Sequence, residues 1–121
     1  MHIDKSDAIA LEHYAASESC TIRTCYQDTI AAIEAVFDKD DVFYGIFEDL
    51  FTPETIAQLS AFLNVEARPD LAQQRVNTTV KHDKVHDELI AIVREIYKDT
   101  YAFCQQRFPQ VNDVWRGLQT L

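Results

Sequence analysis

The run Asp41–Leu50, DVFYGIFEDL, constrains this chain more than any other stretch. Val42, Phe43, Tyr44, Ile46 and Phe47 are β-branched or aromatic and nearly continuous, which predicts a strand over 42–47 covered on both faces. A strand leaves its backbone N–H and C=O groups to neighbours, so this one requires a partner: weak strands elsewhere in the chain, a second copy, or sequence outside it. Every other segment reads as helix. The expected fold class is therefore mainly α with one strong strand and one or two short weak ones, a piece of an α/β fold rather than a complete enzyme.

The helices follow from spacing and caps. Ser6 opens a weakly amphipathic helix through Ala8, Ile9, Leu11, Tyr14 and Ala15, expected to be mobile, and Ser17 to Ser19 break it. A second helix starts near Ser19 or Cys20 and carries Ile22, Tyr26, Ile30, Ile33 and Phe37 on one face. Gly45 within the strand run marks a bulge or a close approach. Thr52 before Pro53 is a helix start, with Ile56, Leu59, Phe62 and Leu63 as the buried stripe. Pro69 opens a short helix containing Leu71, and Arg75 to Asp83 reads as a loop.

The longest helix is expected over 83–107, with Val85, Leu89, Ile92, Ile96 and Phe103 beside a second stripe of Ile90, Val93, Tyr97, Tyr101 and Cys104. Pro109 ends it, and Val111, Val114, Trp115 and Leu118 form a terminal element packing back on the body. The organisation predicted is a single domain, 1–121, whose first 18 residues are loosely attached and whose body, 19–118, packs around 42–47.

Composition excludes several function classes. Eleven Lys and Arg against twenty Asp and Glu give a net charge of −9, a field that repels nucleic-acid backbones and anionic membranes. No apolar run approaches the roughly 18 to 20 residues needed to span a bilayer, and the amino terminus lacks a signal-peptide pattern, so a cytoplasmic location is expected. Three cysteines without a CxxC pair argue against a disulfide scaffold and a structural zinc site.

Candidate chemistry is sparse. His82 and His86 have the H-x-x-x-H spacing that turns two imidazoles toward one metal on a helix, with Asp83 where zincins place a glutamate; the alternative is solvated residues at a helix start. Glu48 and Asp49 sit at the carboxyl end of the expected strand, where ligand-facing groups of α/β sheets collect, or serve as loop caps. Arg75, Lys81 and Lys84 offer a small cationic patch for a phosphate or sulfate oxygen, or are scattered surface charge. Cys20, Cys25 and Cys104 read as core or helix-start thiols rather than nucleophiles. With only Gly45 and Gly117, no glycine-rich phosphate loop can be built.

The order Arg23-x-x-Tyr26-x-x-Thr29-Ile30, Phe47-Glu48-Asp49-Leu50, Pro53, Leu59-Ser60-Ala61-Phe62-Leu63-Asn64-Val65 and Arg75-Val76-Asn77-Thr78-Thr79 resembles the carboxyl-terminal half of bacterial sulfotransferase-family proteins. Those proteins carry a glycine where Asn64 stands here. The resemblance covers about Arg23 to Trp115. It implies a P-loop-like α/β fold and sulfuryl transfer from 3'-phosphoadenosine 5'-phosphosulfate to a hydroxyl or amine. It also implies a supporting role for Glu48 in the donor-site framework, and a place near the donor nucleotide for Arg75 to Lys84. The family's donor-cradling loop, its arginine-serine pair, its acceptor-activating residue and its arginine-lysine-glycine motif have no match in this sequence.

Three functional expectations result. The first is a sulfotransferase-like carboxyl-terminal fragment or remnant, inactive alone, binding the donor only when completed by a complementary polypeptide. The second is a small acidic helical interaction module that forms homo-oligomers through 42–47 or the long helix 83–107. The third and least favoured is a metal-dependent hydrolase using His82 and His86. No catalytic residue is assigned, and no cofactor is expected for the chain by itself.

Overall fold

The computed structural model describes residues 5–73 and 86–119. Eight α-helices occur among them: α1 (Lys5–Ala15), α2 (Glu18–Thr24), α3 (Tyr26–Val36), α4 (Pro53–Leu63), α5 (Asp87–Ile96), α6 (Lys98–Arg107), α7 (Val111–Val114) and α8 (Arg116–Gln119). Short 3-10 turns lie at Lys39–Asp41, Phe47–Asp49 and Pro69–Gln73. The chain divides into two compact units, one of Met1–Val36 with Lys81–Leu121 and one of Phe37–Val80.

The first unit is a helical assembly in which α1 packs on α2 and α5, α3 on α6, and α8 on α5. Its apolar core is Ala15, Ile30, Leu89, Tyr97, Cys104 and Val111, the last with no exposed surface at all. Ser17 joins the first two helices. Its hydroxyl donates to the Tyr14 carbonyl at the end of α1 and accepts from the Cys20 N–H at the start of α2, satisfying a terminal group of each.

Two long helices expected from periodicity are each broken. The expected helix through Phe37 is interrupted at Cys25, whose φ of −73° and ψ of 75° separate α2 from α3. The expected helix over 83–107 is divided at Tyr97, with φ of −108° and ψ of 26°, into α5 and α6, while 83–85 lie outside the described residues. No proline or glycine marks either break. The second coincides with a long-range bond: the buried Tyr97 hydroxyl donates to the Ala15 carbonyl, one of the last carbonyls of α1 that lack a partner within their helix.

Polar ties reinforce the helix pairs. The buried Thr100 hydroxyl meets the Gln27 Oε1 at 2.8 Å, linking α6 to α3. Arg107 pairs with Glu34 on the same two helices, and Arg116 of α8 pairs with Asp87 at the start of α5 at 3.0 Å. Both ion pairs are largely solvated, so they contribute at most about 1 kcal/mol each.

The second unit corrects the strand expectation. No strand occurs among the described residues. Residues 42–46 have no regular secondary structure, although the backbone is extended at Val42 (φ −125°, ψ 131°) and at Ile46 (φ −91°, ψ 125°). Phe47, expected as the last strand residue, begins a 3-10 turn. The physical reason is the missing partner: extended geometry becomes a strand only when a second segment supplies the ladder, and no described segment does. Nor is the run covered on both faces, since Phe47 is 74% exposed.

The helix start at Thr52-Pro53 forms as its sequence predicts. Pro53 is the first helical residue, and the Thr52 hydroxyl accepts from the Thr55 N–H while donating to the Asp49 carbonyl. Asn64 ends α4 with φ of 55° and ψ of 45°, the left-handed region. Its N–H bonds to the Ala61 carbonyl and the Val65 N–H to the Ser60 carbonyl, a Schellman closure normally built on glycine. Asparagine is among the side chains that best tolerate that conformation, so it can take the place that glycine usually holds. Gly45 is a close-approach position, since a Cβ there would lie 3.2 Å from Leu50 Cδ1.

The stripe of α4 is less buried than its periodicity predicts. Ile56 and Leu59 are half-buried, whereas Phe62 and Leu63 are exposed.

Candidate functional site

Most residues singled out for chemistry are not brought together. Arg75, Lys81, His82 and Lys84 lie outside the described residues. His86 is the exposed residue preceding α5, and no cluster of His, Cys, Asp and Glu suited to a metal occurs among the described residues. Glu48 lies exposed in the 3-10 turn Phe47–Asp49 rather than at a strand end, so the sheet-edge argument for it no longer applies. Cys104 is buried, and that burial pushes its thiol pKa up, opposing the thiolate a nucleophile needs. No helix among the described residues is long and apolar enough to cross a membrane.

What the second unit presents is an apolar surface. No residue among 37–70, 72 and 73 is buried. Phe47 and Phe51 stand edge to face at 6.2 Å, exposed by 74% and 55%. Phe43 lies against Phe62 with ring centroids 5.7 Å apart, and Leu63, the last residue of α4, and Val65, just past it, are exposed. Residues 37–73 carry eight carboxylates and two cations, Lys39 and Arg68. Arg68 is itself bound in a two-pronged contact to Asp70 at 3.1 and 2.9 Å.

The first unit holds a different feature, a cleft of about 150 Å³ lined by Thr24, Tyr26, Val93, Tyr97, Thr100, Tyr101 and Trp115. The break after Thr24 puts Tyr26 at the start of α3, and Trp115 falls between α7 and α8. Trp115 is the centre of the ring cluster. Tyr101 meets it edge to face with centroids 6.0 Å apart, and Tyr26 stands tilted by 50° at 6.2 Å. Gly117 makes this possible, because a Cβ at that position would lie 2.5 Å from the Tyr101 hydroxyl oxygen.

Burial pushes the Tyr97 and Tyr101 phenols up from their ordinary pKa, with Arg94 acting against the shift at Tyr101. Three lining hydroxyls are already engaged: Tyr97 with Ala15, Thr100 with Gln27, and Thr24 with the Cys20 thiol at 3.6 Å.

The apolar spacing places Tyr26, Tyr101 and Trp115 on packing faces without joining them. Tyr97 and Tyr101 share a face by their i, i+4 spacing, a legible signal. The approach of Tyr26 and Trp115, 89 positions apart, depends on the breaks at Cys25 and Tyr97 and has no local signature. Comparison of the chain with family models, curated proteins and solved structures finds no match.

Proposed function

We propose that this chain is a small acidic interaction module without catalytic activity of its own, whose second unit docks against another polypeptide. The observation that supports this reading is the absence of any buried residue among 37–70, 72 and 73, set beside exposed Phe47, Phe51, Leu63 and Val65. Clustered apolar side chains left in water mark surfaces that a partner covers. The excess of eight carboxylates over two cations in residues 37–73 favours one kind of occupant, an apolar face that carries Lys and Arg. A second copy would set the same acidic excess against itself, so a complementary polypeptide is preferred over a homo-oligomer.

Calorimetry with two designed amphipathic helical peptides tests this. Both share a leucine face, and one carries lysines and the other glutamates on its polar face. The lysine peptide is expected to bind at least about tenfold more tightly, with an advantage that shrinks as salt is added and binding that weakens when Phe47 and Phe51 become serine. Equal affinity for the two peptides would overturn the proposal. A concentration-dependent dimer by light scattering, abolished by the same serine substitutions, would assign the surface to a second copy instead.

A second reading is favoured by the extended backbone at Val42 and Ile46. Residues in that conformation offer backbone groups to a partner's sheet, as expected if the chain is the carboxyl-terminal half of a sulfotransferase-like protein completed by another polypeptide. In that case the completed assembly, not this chain, would bind 3'-phosphoadenosine 5'-phosphosulfate. The purified chain is then expected to transfer no sulfuryl group to phenolic or sugar acceptors, and measurable turnover would refute both readings.

A further inference from the structure

We propose that the aromatic cleft of the first unit binds a quaternary or methylated ammonium group. Tyr26, Tyr101 and Trp115 are three of the seven residues that line one cleft, with the Tyr26 and Tyr101 ring planes inclined to Trp115 by 50° and 85°. An aromatic lining attracts a cation that reaches the negative face of a ring. The cleft's volume of about 150 Å³ lies well below the roughly 300–1,000 Å³ of a drug-sized site, so it suits a compact head group rather than an extended ligand.

The polar groups narrow the chemistry further. Of the five hydroxyls that line the cleft, those of Thr24, Tyr97 and Thr100 are engaged within the protein, which reduces the hydrogen bonds a ligand gains here. A fully methylated ammonium has no N–H donor and requires only π faces and apolar contact. The net charge of −9 adds a long-range field that concentrates cations at the surface. Arg94 is close enough to influence the Tyr101 phenol but does not line the cleft. Tyr26, 44% exposed, keeps the cleft open to solvent.

Trp115 is the single tryptophan of the chain, so its fluorescence reports the cleft directly. The full chain is titrated with choline and, at the same ionic strength, with 3,3-dimethyl-1-butanol, which has the same shape but no charge. Choline is expected to give a saturable change with an affinity at least about fivefold above that of the neutral isostere. Tyr26→Phe, which keeps the π face, should bind choline as the parent does. Tyr26→Leu should weaken choline by about fivefold and leave the isostere unchanged. Because Tyr26 is exposed, both variants are expected to fold, which circular dichroism checks; Tyr26→Trp replaces Tyr26→Leu if the latter does not fold, with binding at or above the parent's as the expected result. Equal binding of the two ligands would reduce the cleft to an apolar hole. That outcome, no saturable signal with choline, or full binding by Tyr26→Leu would each overturn the proposal.

Discussion

Replacing Tyr97 by alanine is expected to destabilise the first unit by about 3–5 kcal/mol, the range for removing a buried aromatic side chain. Tyr97 is 4% exposed and sits at the junction of α5 and α6, and its hydroxyl closes the end of α1. Truncation therefore opens a cavity and leaves the buried Ala15 carbonyl without its tyrosine donor. For a domain whose whole stability is about 5–15 kcal/mol, that is a large share. Tyr97→Phe separates the two effects, because it keeps the ring and removes only the donor; its expected cost is about 1–2 kcal/mol. Urea unfolding followed by circular dichroism measures both. A loss below about 1 kcal/mol for Tyr97→Ala would show that the α5–α6 junction is not the keystone of this unit.

Raising the pH is expected to produce the second large effect. Burial raises the pKa of Tyr97, Tyr101 and Cys104 in the folded chain. All three are neutral when protonated, so the folded state holds these protons more tightly than the unfolded one. The stability linked to them is complete below their unfolded values, near pH 8.5 for the thiol and near 10 for the phenols, and is lost as pH rises through the folded values. While a group is ionised in the unfolded state and protonated in the folded one, its contribution falls by about 1.4 kcal/mol per pH unit. Urea midpoints should therefore begin to fall near pH 9 and drop more steeply above 10. Tyr97→Phe should make the steep part shallower. A midpoint constant from pH 7 to 11 would contradict the burial of these groups.

Local signals proved legible where local chemistry decides the outcome. Thr52-Pro53 starts α4 because a capping hydroxyl and a residue with no N–H suit a helix's first turn whatever surrounds them. Ser17 separates α1 from α2 for the same kind of reason, with its hydroxyl serving both ends. The apolar spacing also placed Ile30, Leu89, Tyr97, Cys104 and Val111 on packing faces, and all five are buried.

Longer-range expectations failed where composition stood in for contacts. Residues 42–47 have strand composition, but composition does not supply the second segment that a ladder needs. Phe62 and Leu63 continue the α4 stripe by spacing yet remain exposed.

The sequence by itself determined the helix start at Thr52-Pro53, which faces are apolar, and a net charge of −9. Those properties reside in single side chains and in neighbours three or four positions apart. Only the tertiary structure decided that the helices break at Cys25 and Tyr97, that Tyr26, Tyr101 and Trp115 meet around one cleft, and that no residue among 37–70, 72 and 73 is buried. Each of these depends on groups distant in sequence meeting, or failing to meet, and such meetings are set by the packing of whole helices.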